Sequence, residues 1–163
     1  MKIIGFEEHY GLPAIHEAAI KANDPYALVM EIMRKSGRFA ADSKTGFPAG
    51  IYDLAEARIA AMDDAGIDAQ ILSYSTPSAE RLEPSQSRGL TRQANDAVAA
   101  AVSKYPDRFL GFATLPMLDP AAAAGEARAH RPQPALRRRI DKRYYGDGAP
   151  GDRQGVGGAS PLR

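Results

Sequence analysis

The sequence predicts an α/β fold in which parallel strands alternate with helices. Two observations carry this prediction: short apolar strand-like runs alternate with helical patterns, and the runs lie too far apart along the chain for hairpins. The chain has 163 residues, which is enough for one ordinary domain with a core.

The first strand is predicted over Lys2–Phe6 and is expected to be buried, because Ile3, Ile4 and Phe6 are apolar. A long connection follows. Helical patterns predict short helices over 13–22 and 26–35, and glycine and proline predict a loop over 44–50.

The next helix is predicted to begin at Asp53, because Asp53 and Glu56 form an acidic variant of the capping box. Arg58 lies at the edge of the apolar stripe and is expected to extend its charged end into water. Gly66 is expected to end the helix. The apolar stripe consists of Leu54, Ala57, Ala61, Met62 and Ala65.

The second strand is predicted over Ile67–Tyr74, and apolar residues at helical spacing predict a helix over 87–104. The third strand is predicted over Phe109–Leu115. An Asp-Pro pair at 119–120 matches an N-cap followed by a proline at the first helical position, so another helix is expected to begin there.

A carboxylate and an imidazole follow the first strand in the run Glu7-Glu8-His9. Because alternate strand residues point to the same side, Glu7 and His9 are expected to project together and Glu8 to point away. Carboxylate oxygen and imidazole nitrogen bind divalent metals, but a usual site takes three or four ligands. The pair is therefore half of a metal site or, alternatively, a solvated pair at a strand end.

Composition excludes several classes of function. The chain has no cysteine, which excludes disulfides, thiolate catalysis and cysteine metal sites. The net charge of +1 gives no broad attraction to nucleic acid or membranes, and the sequence shows no signal peptide or long apolar stretch. We expect a cytoplasmic protein that binds neither nucleic acid nor a membrane.

The charge balance changes near residue 125. Residues 125–163 hold nine Lys and Arg against four acids, a net charge of +5, whereas residues 1–124 carry a net charge of −4. The 125–163 segment also holds seven Gly and four Pro with almost no apolar periodicity. We therefore expect a folded unit over 1–124 and a basic tail over 125–163. The tail is expected to be disordered and solvated rather than to bind anionic polymers.

The strand-one motif and four later segments together resemble the decarboxylase branch of the amidohydrolase superfamily. These segments are Ala60–Asp68, Leu72–Pro77, Gln93–Asp96 and Pro106–Pro116. The resemblance implies a (β/α)8 barrel with a divalent metal, zinc or manganese, at its C-terminal mouth. Such barrels typically take about 250 residues, so the chain would form the N-terminal part of one. By the same resemblance, Glu7 and His9 would bind the metal.

The resemblance implies metal-dependent, non-oxidative decarboxylation of an aromatic or related unsaturated acid, impaired here by truncation. The substrate would be a small carboxylic acid, and such proteins would be homo-oligomers. One alternative is hydrolysis by a metal-activated water, although Glu-x-His favours decarboxylation because the hydrolases more often carry His-x-His. Another alternative is an inactive fragment with no catalytic role.

Family resemblance assigns no catalytic residue to this chain, because the remaining ligands and the catalytic groups would lie on later strands. His16 is expected to face solvent, and His130, in the basic tail, is given no role. Tyr10, Ser75 and Thr76 follow strand ends, where barrel loops contact substrate, and are candidate substrate-binding residues. Ordinary turn chemistry is the alternative for them.

A shifted reading frame is our hypothesis for the tail, because the family pattern stops where the composition changes. Leu136–Tyr145 can be encoded so that reading one base later gives Phe-Gly-Gly-Ala-Ser-Ile-Asn-Gly-Thr-Thr, which resembles the family's fourth strand. The gene is then expected to contain an intact family frame downstream.

Overall fold

The computed structural model describes residues 2–37 and 49–130. Three strands form one parallel sheet in the order β1-β2-β3, as the α/β prediction requires. The strands are β1 Ile4–Tyr10, β2 Ala69–Tyr74 and β3 Phe109–Gly111. The helices are α1 Pro13–Lys21, α2 Pro25–Lys35, α3 Glu56–Asp64, α4 Pro84–Lys104 and α5 Pro120–Ala129, with 3-10 turns at Ala49–Tyr52 and Ala79–Arg81.

Strand β1 lies further along the chain than predicted. It runs to Tyr10 instead of ending at Phe6, because pairing with β2 continues as far as the partners Tyr10 and Tyr74. Strand β3 ends at Gly111, four residues before the predicted end. The Glu-Glu-His motif therefore lies inside a paired strand and not beyond its end.

Helix α3 begins two residues later than the capping-box prediction. Its N-cap is Ala55, while the Asp53 carboxylate accepts from the N–H of Ala55 at 2.7 Å. An aspartate that bonds to the backbone two residues on forms a turn, and this turn precedes the helix. Glu56 is bonded instead to Lys104 and Tyr105 of the α4 end.

The apolar stripe predicted for this helix is mostly not buried. Of its five members only Met62 is buried, Leu54 is half-buried, and the three alanines are exposed. Gly66 does end the helix region as predicted, with a φ of 68° that favours glycine.

The other helices match their predictions closely. Proline occupies the first turn of α1, α2 and α5, where its missing N–H costs nothing. The Asp119 carboxylate accepts from the N–H of Ala122 at 3.0 Å, which confirms the predicted N-cap of α5. The predicted 44–50 loop lies mostly outside the described residues, since only residues 49 and 50 belong to them.

The core lies between the sheet and helices α1 and α4. Tyr10, Leu72 and Phe109, one from each strand, are at most 1% exposed, and Ala94 and Val98 of α4 belong to the same cluster. Full burial of one large apolar side chain contributes about 1.5–3 kcal/mol. The core therefore fixes which face of each strand is turned toward the helices.

The opposite face of the sheet stays exposed. Ile3, Ile4 and Phe6, which we expected to be buried, are 48%, 40% and 65% exposed. Phe6 meets Phe112 edge-on, with ring centroids 5.9 Å apart. The prediction of burial is wrong, because none of these three residues belongs to the described core cluster that packs against the helices.

Residues Met1–His130 form one compact unit. Helix α5 continues to Ala129, five residues past the change in composition. The rest of the predicted tail, residues 131–163, lies outside the described residues, as does the segment of the reading-frame hypothesis. Within the described ranges, no helix has both the length and the apolar character needed to cross a membrane.

A candidate metal centre on the first strand

A β-bulge interrupts β1 at the motif. Between the paired residues Gly5 and Glu8, β1 has two residues, Phe6 and Glu7, where β2 has one. Glu7 adopts a φ of 61°, a left-handed conformation that costs a non-glycine residue about 1–2 kcal/mol. Bulges re-aim side chains and are frequent beside functional sites. Strand alternation predicts an unbroken strand here, so the sequence pattern does not reveal the bulge that re-aims Glu7.

Glu7 and His9 are both exposed, and His9 is held by β2. The Nδ1 atom of His9 lies 3.1 Å from the Oγ atom of Ser73, its directly paired neighbour in the sheet. When Nδ1 carries the proton, this bond fixes the ring and leaves the Nε2 lone pair available to a metal. Ser73 was not among the residues predicted for the site, although a residue paired with His9 in a parallel register is a natural candidate for this role.

Glu8 points toward a different partner. Its Oε2 atom accepts a hydrogen bond of 3.3 Å from the Nε2 atom of Gln70. Gln70 and Ser73 are an odd number of residues apart on β2, so they lie on opposite faces of the sheet. Glu8 and His9 therefore face opposite sides, as the alternation predicted.

Arg58 of α3 reaches the backbone of the motif. Its Nη2 atom donates to the carbonyl oxygen of His9 at 2.7 Å and to that of Gly50 at 3.3 Å. Its Nε atom donates to the carbonyl oxygen of Asp53 at 2.8 Å. Burial lowers the pKa of Arg58, and the nearby carboxylates of Glu8 and Asp53 raise it. The prediction of a guanidinium directed into water is wrong, because several acceptors lie within its reach.

Glu7 and His9 offer two side-chain donors of the kind that bind divalent metals. Carboxylate and imidazole suit zinc or manganese, and an exposed face leaves room for further ligands. Within 2–37 and 49–130, no three His, Cys, Asp or Glu side chains come together as a metal-binding group. Glu7 and His9 thus fit a divalent ion in kind, as one half of a usual ligand set.

Tyr10 lies in the core on the helix-covered face. It is 0% exposed, its hydroxyl donates to the carbonyl oxygen of Ala94 at 3.2 Å, and its ring meets Tyr74 edge-on. Burial raises the pKa of the Tyr10 hydroxyl. The structure gives Tyr10 a packing role in place of the expected substrate contact, because β1 continues through Tyr10 and turns it toward α4.

Ser75 and Thr76 follow the end of β2, as expected. The N–H of Ser75 donates to the carbonyl oxygen of Tyr10 at 2.9 Å, and Thr76 is exposed. With Tyr52 and Pro77 they line a crevice of about 10 Å³, which is about the space of one water molecule. Both residues therefore lie at the carboxyl edge of the sheet, where barrel enzymes place their sites.

The other two histidines lie outside the candidate metal centre. His16 is buried, its Nδ1 atom lies 2.9 Å from the Tyr52 hydroxyl, and burial lowers its pKa while the Glu31 carboxylate raises it. The expectation of a solvent-facing His16 is wrong, because α1 turns this side toward Tyr52. The Nε2 atom of His130 lies 2.9 Å from the buried carboxylate of Glu126.

Comparison with known proteins supports the resemblance. A sequence model of the amidohydrolase family matches residues 9–154. The γ-resorcylate decarboxylase of Rhodococcus jostii is 41% identical over 81 residues, which cover 49% of this chain and 25% of that protein. The γ-resorcylate decarboxylase of a Polaromonas species is 43% identical over 77 residues, which cover 47% and 24%. The matched region thus spans about a quarter of these curated relatives.

Solved structures of decarboxylases are also similar to this chain. A 5-carboxyvanillate decarboxylase of Novosphingobium aromaticivorans, complexed with manganese and a nitrobenzoic acid, matches with a TM-score of 0.60 at 30% identity and covers 78% of this chain and 37% of its own. The 2,6-dihydroxybenzoate decarboxylase of Rhizobium matches with a TM-score of 0.58 at 27% identity and covers 78% and 34%. Because such neighbours are TIM-barrel decarboxylases, the predicted N-terminal part of a (β/α)8 barrel is confirmed.

Proposed function

The chain belongs to the amidohydrolase family, and on this premise we propose that it carries the strand-one half of the metal site of a non-oxidative decarboxylase. The proposed substrate is a hydroxybenzoate or a related small aromatic acid, since the relatives and structural neighbours named above are decarboxylases of such acids. The observation that carries the proposal is the Glu7 and His9 pair on the exposed face of β1, with His9 bonded to Ser73.

Each of these side chains has a distinct task in the proposal. Glu7 supplies a negative oxygen donor, and His9 supplies the Nε2 donor of a ring whose orientation Ser73 fixes. When bound, the divalent ion supplies positive charge that stabilises negative charge on the substrate. Phe6 and Phe112 add exposed aromatic surface, against which the ring of an aromatic acid can pack.

For the 163-residue polypeptide by itself we expect weak metal binding and no turnover. The proposal counts two donors, Glu7 and His9, and the described residues form no group of three or more potential ligands, whereas a usual site requires three or four. Homo-oligomerisation, which the family resemblance implies, belongs to the same proposal and is tested by the molar mass of the purified protein.

The test of the proposed chemistry is a chimera. Residues 1–130 of this chain replace the matching segment of the Rhodococcus jostii γ-resorcylate decarboxylase, and release of carbon dioxide from 2,6-dihydroxybenzoate is measured with Mn²⁺ present. The chimera is expected to decarboxylate this acid. His9→Ala in the chimera is expected to abolish the activity, while the exposed α1 variant Glu17→Gln leaves it unchanged.

Three outcomes would contradict parts of this proposal. A chimera that folds and binds Mn²⁺ but releases no carbon dioxide would show that this segment does not support decarboxylation. Full activity in the His9→Ala chimera would show that His9 is not a ligand. Turnover by the 163-residue polypeptide alone would overturn the expectation that it lacks activity.

A further inference from the structure

One arginine is linked to both residues that directly follow the β1 bulge. Arg58 donates to the carbonyl oxygen of His9 at 2.7 Å and, through Nη1, to the Oε1 atom of Gln70 at 3.1 Å. Gln70 in turn donates to Glu8. The backbone of His9 and the side chain of Glu8, which follow the bulge directly, are therefore both tied to one guanidinium.

The guanidinium is itself held in place. Its Nε atom donates to the carbonyl oxygen of Asp53, and the Asp53 carboxylate accepts from the backbone N–H of Arg58 at 3.3 Å. The side chain is thus fixed at the first turn of α3 and extends to β1. A planar guanidinium with several donors suits such bridging, which a lysine ammonium cannot reproduce with the same geometry.

Glu8 also contacts Gly5, the paired residue that precedes the bulge. A Cβ atom at Gly5 would lie 2.5 Å from the Oε1 atom of Glu8, so the Glu8 carboxylate lies against the bare backbone of Gly5. The left-handed Glu7 lies between these two residues. Such a conformation persists only where the surrounding structure determines it, and the contacts of Glu8 and Arg58 provide that surrounding structure.

We propose that Arg58 is a positioning residue that acts through the carbonyl of His9 and through Gln70 to hold the β1 bulge. It thereby directs Glu7 and His9 to the exposed face together. The inference rests on the proposed metal site, but the conformation of the bulge can be measured without any metal. Arg58 touches no substrate in this proposal and acts only by fixing the two donors.

The experiment compares Arg58→Met with Arg108→Met in the full chain by NMR. Arg108 is a matched control, because it also bonds to backbone carbonyls, those of Asp68 and Ile67, at 2.9 and 3.2 Å. The first readout is the intraresidue NOE between HN and Hα of Glu7, which is strong when φ is positive. The second readout is the Mn²⁺ concentration that broadens the His9 ring signals.

The two arginine variants are expected to differ in both readouts. Arg58→Met is expected to lose the strong Glu7 NOE and to need about tenfold more Mn²⁺ to broaden His9, the loss typical of an outer-shell partner. Arg108→Met is expected to keep both signals even where it lowers thermal stability. Arg58→Lys, which keeps the charge but not the planar guanidinium, is expected to restore the NOE only in part.

Other outcomes would overturn the inference. If Arg58→Lys and Arg58→Met keep the Glu7 NOE and the His9 broadening of the wild type, Arg58 does not position the pair. If Arg108→Met loses the same signals, the effect is one of general stability. If Mn²⁺ fails to broaden His9 in the wild type, the metal site fails, and the NOE still decides the role of Arg58.

Discussion

The packing of α4 against β3 gives a prediction whose size follows from one distance. A Cβ atom at Gly111 would lie 2.7 Å from the Cγ2 atom of Val98, about 0.7 Å closer than an ordinary contact. Val98 is 5% exposed and belongs to the core, so the strain cannot be relieved by turning into solvent. Overpacking of this kind costs about 1–3 kcal/mol, and the smaller entropy of the unfolded alanine chain offsets about 0.4–1 kcal/mol. We predict that Gly111→Ala lowers the free energy of unfolding by about 1–2 kcal/mol.

The same contact predicts a rescue. Val98→Ala removes both γ-carbons and costs about 1.6 kcal/mol in lost methyl burial, together with a cavity term. In the double variant the methyl group that Gly111→Ala introduces occupies part of the freed space. The double variant should therefore be about 1–2 kcal/mol more stable than the sum of the single effects predicts.

Urea unfolding followed by circular dichroism measures the wild type, both single variants and the double variant. Gly89→Ala is the control, because nothing lies within 4 Å of a Cβ atom there, and in α4 it should add up to about 1 kcal/mol of stability. Additivity of the two single effects to within about 0.5 kcal/mol would refute the packing argument.

Three further predictions concern buried polar groups. Burial lowers the pKa of His16 below its ordinary 6.5, so the unfolded chain binds a proton at His16 at a higher pH than the folded chain does. The urea midpoint should therefore fall as the pH drops from about 7.5 to about 5.5. In His16→Gln this pH dependence should largely disappear. Asn95 is 0% exposed and bonds to Thr114 and Glu126, so Asn95→Ala should cost about 1–3 kcal/mol, and an unchanged urea midpoint would contradict these bonds. The Asp24 carboxylate caps α2 by accepting from Tyr26 and Ala27 at 3.0 Å, so Asp24→Ala should cost about 1–2 kcal/mol in the same assay, and no loss would reject the cap.

Local sequence signals predicted most of the fold. The Asp119 N-cap, the Gly66 helix end and the spacing of apolar residues in α4 act over a few residues, and they give elements close to those observed. The Asp53 capping box failed although it is equally local. The Asp53 carboxylate could cap a helix by accepting from the N–H of Glu56, or it could close a turn by accepting from the N–H of Ala55. It bonds to the N–H of Ala55, in the turn before α3.

Less of the candidate site than of the fold could be predicted from the sequence. The pair Glu7 and His9 was identified from its spacing, but the bulge depends on how β1 pairs with residues more than sixty positions away. Burial of His16 depends on Tyr52, and the role of Arg58 depends on the carbonyl of His9. Such contacts leave no periodic pattern in the sequence, so a rule based on alternation or amphipathicity cannot find them.

The most direct test of the metal half-site is a Mn²⁺ titration of the 163-residue chain, with free Mn²⁺ measured by electron paramagnetic resonance. Wild type and the charge-matched control Glu17→Gln are expected to bind equally. Glu7→Gln and His9→Ala are expected to bind at least about tenfold more weakly, because each removes one of two donors. Equal binding by all four proteins would contradict the assignment of Glu7 and His9 as metal ligands.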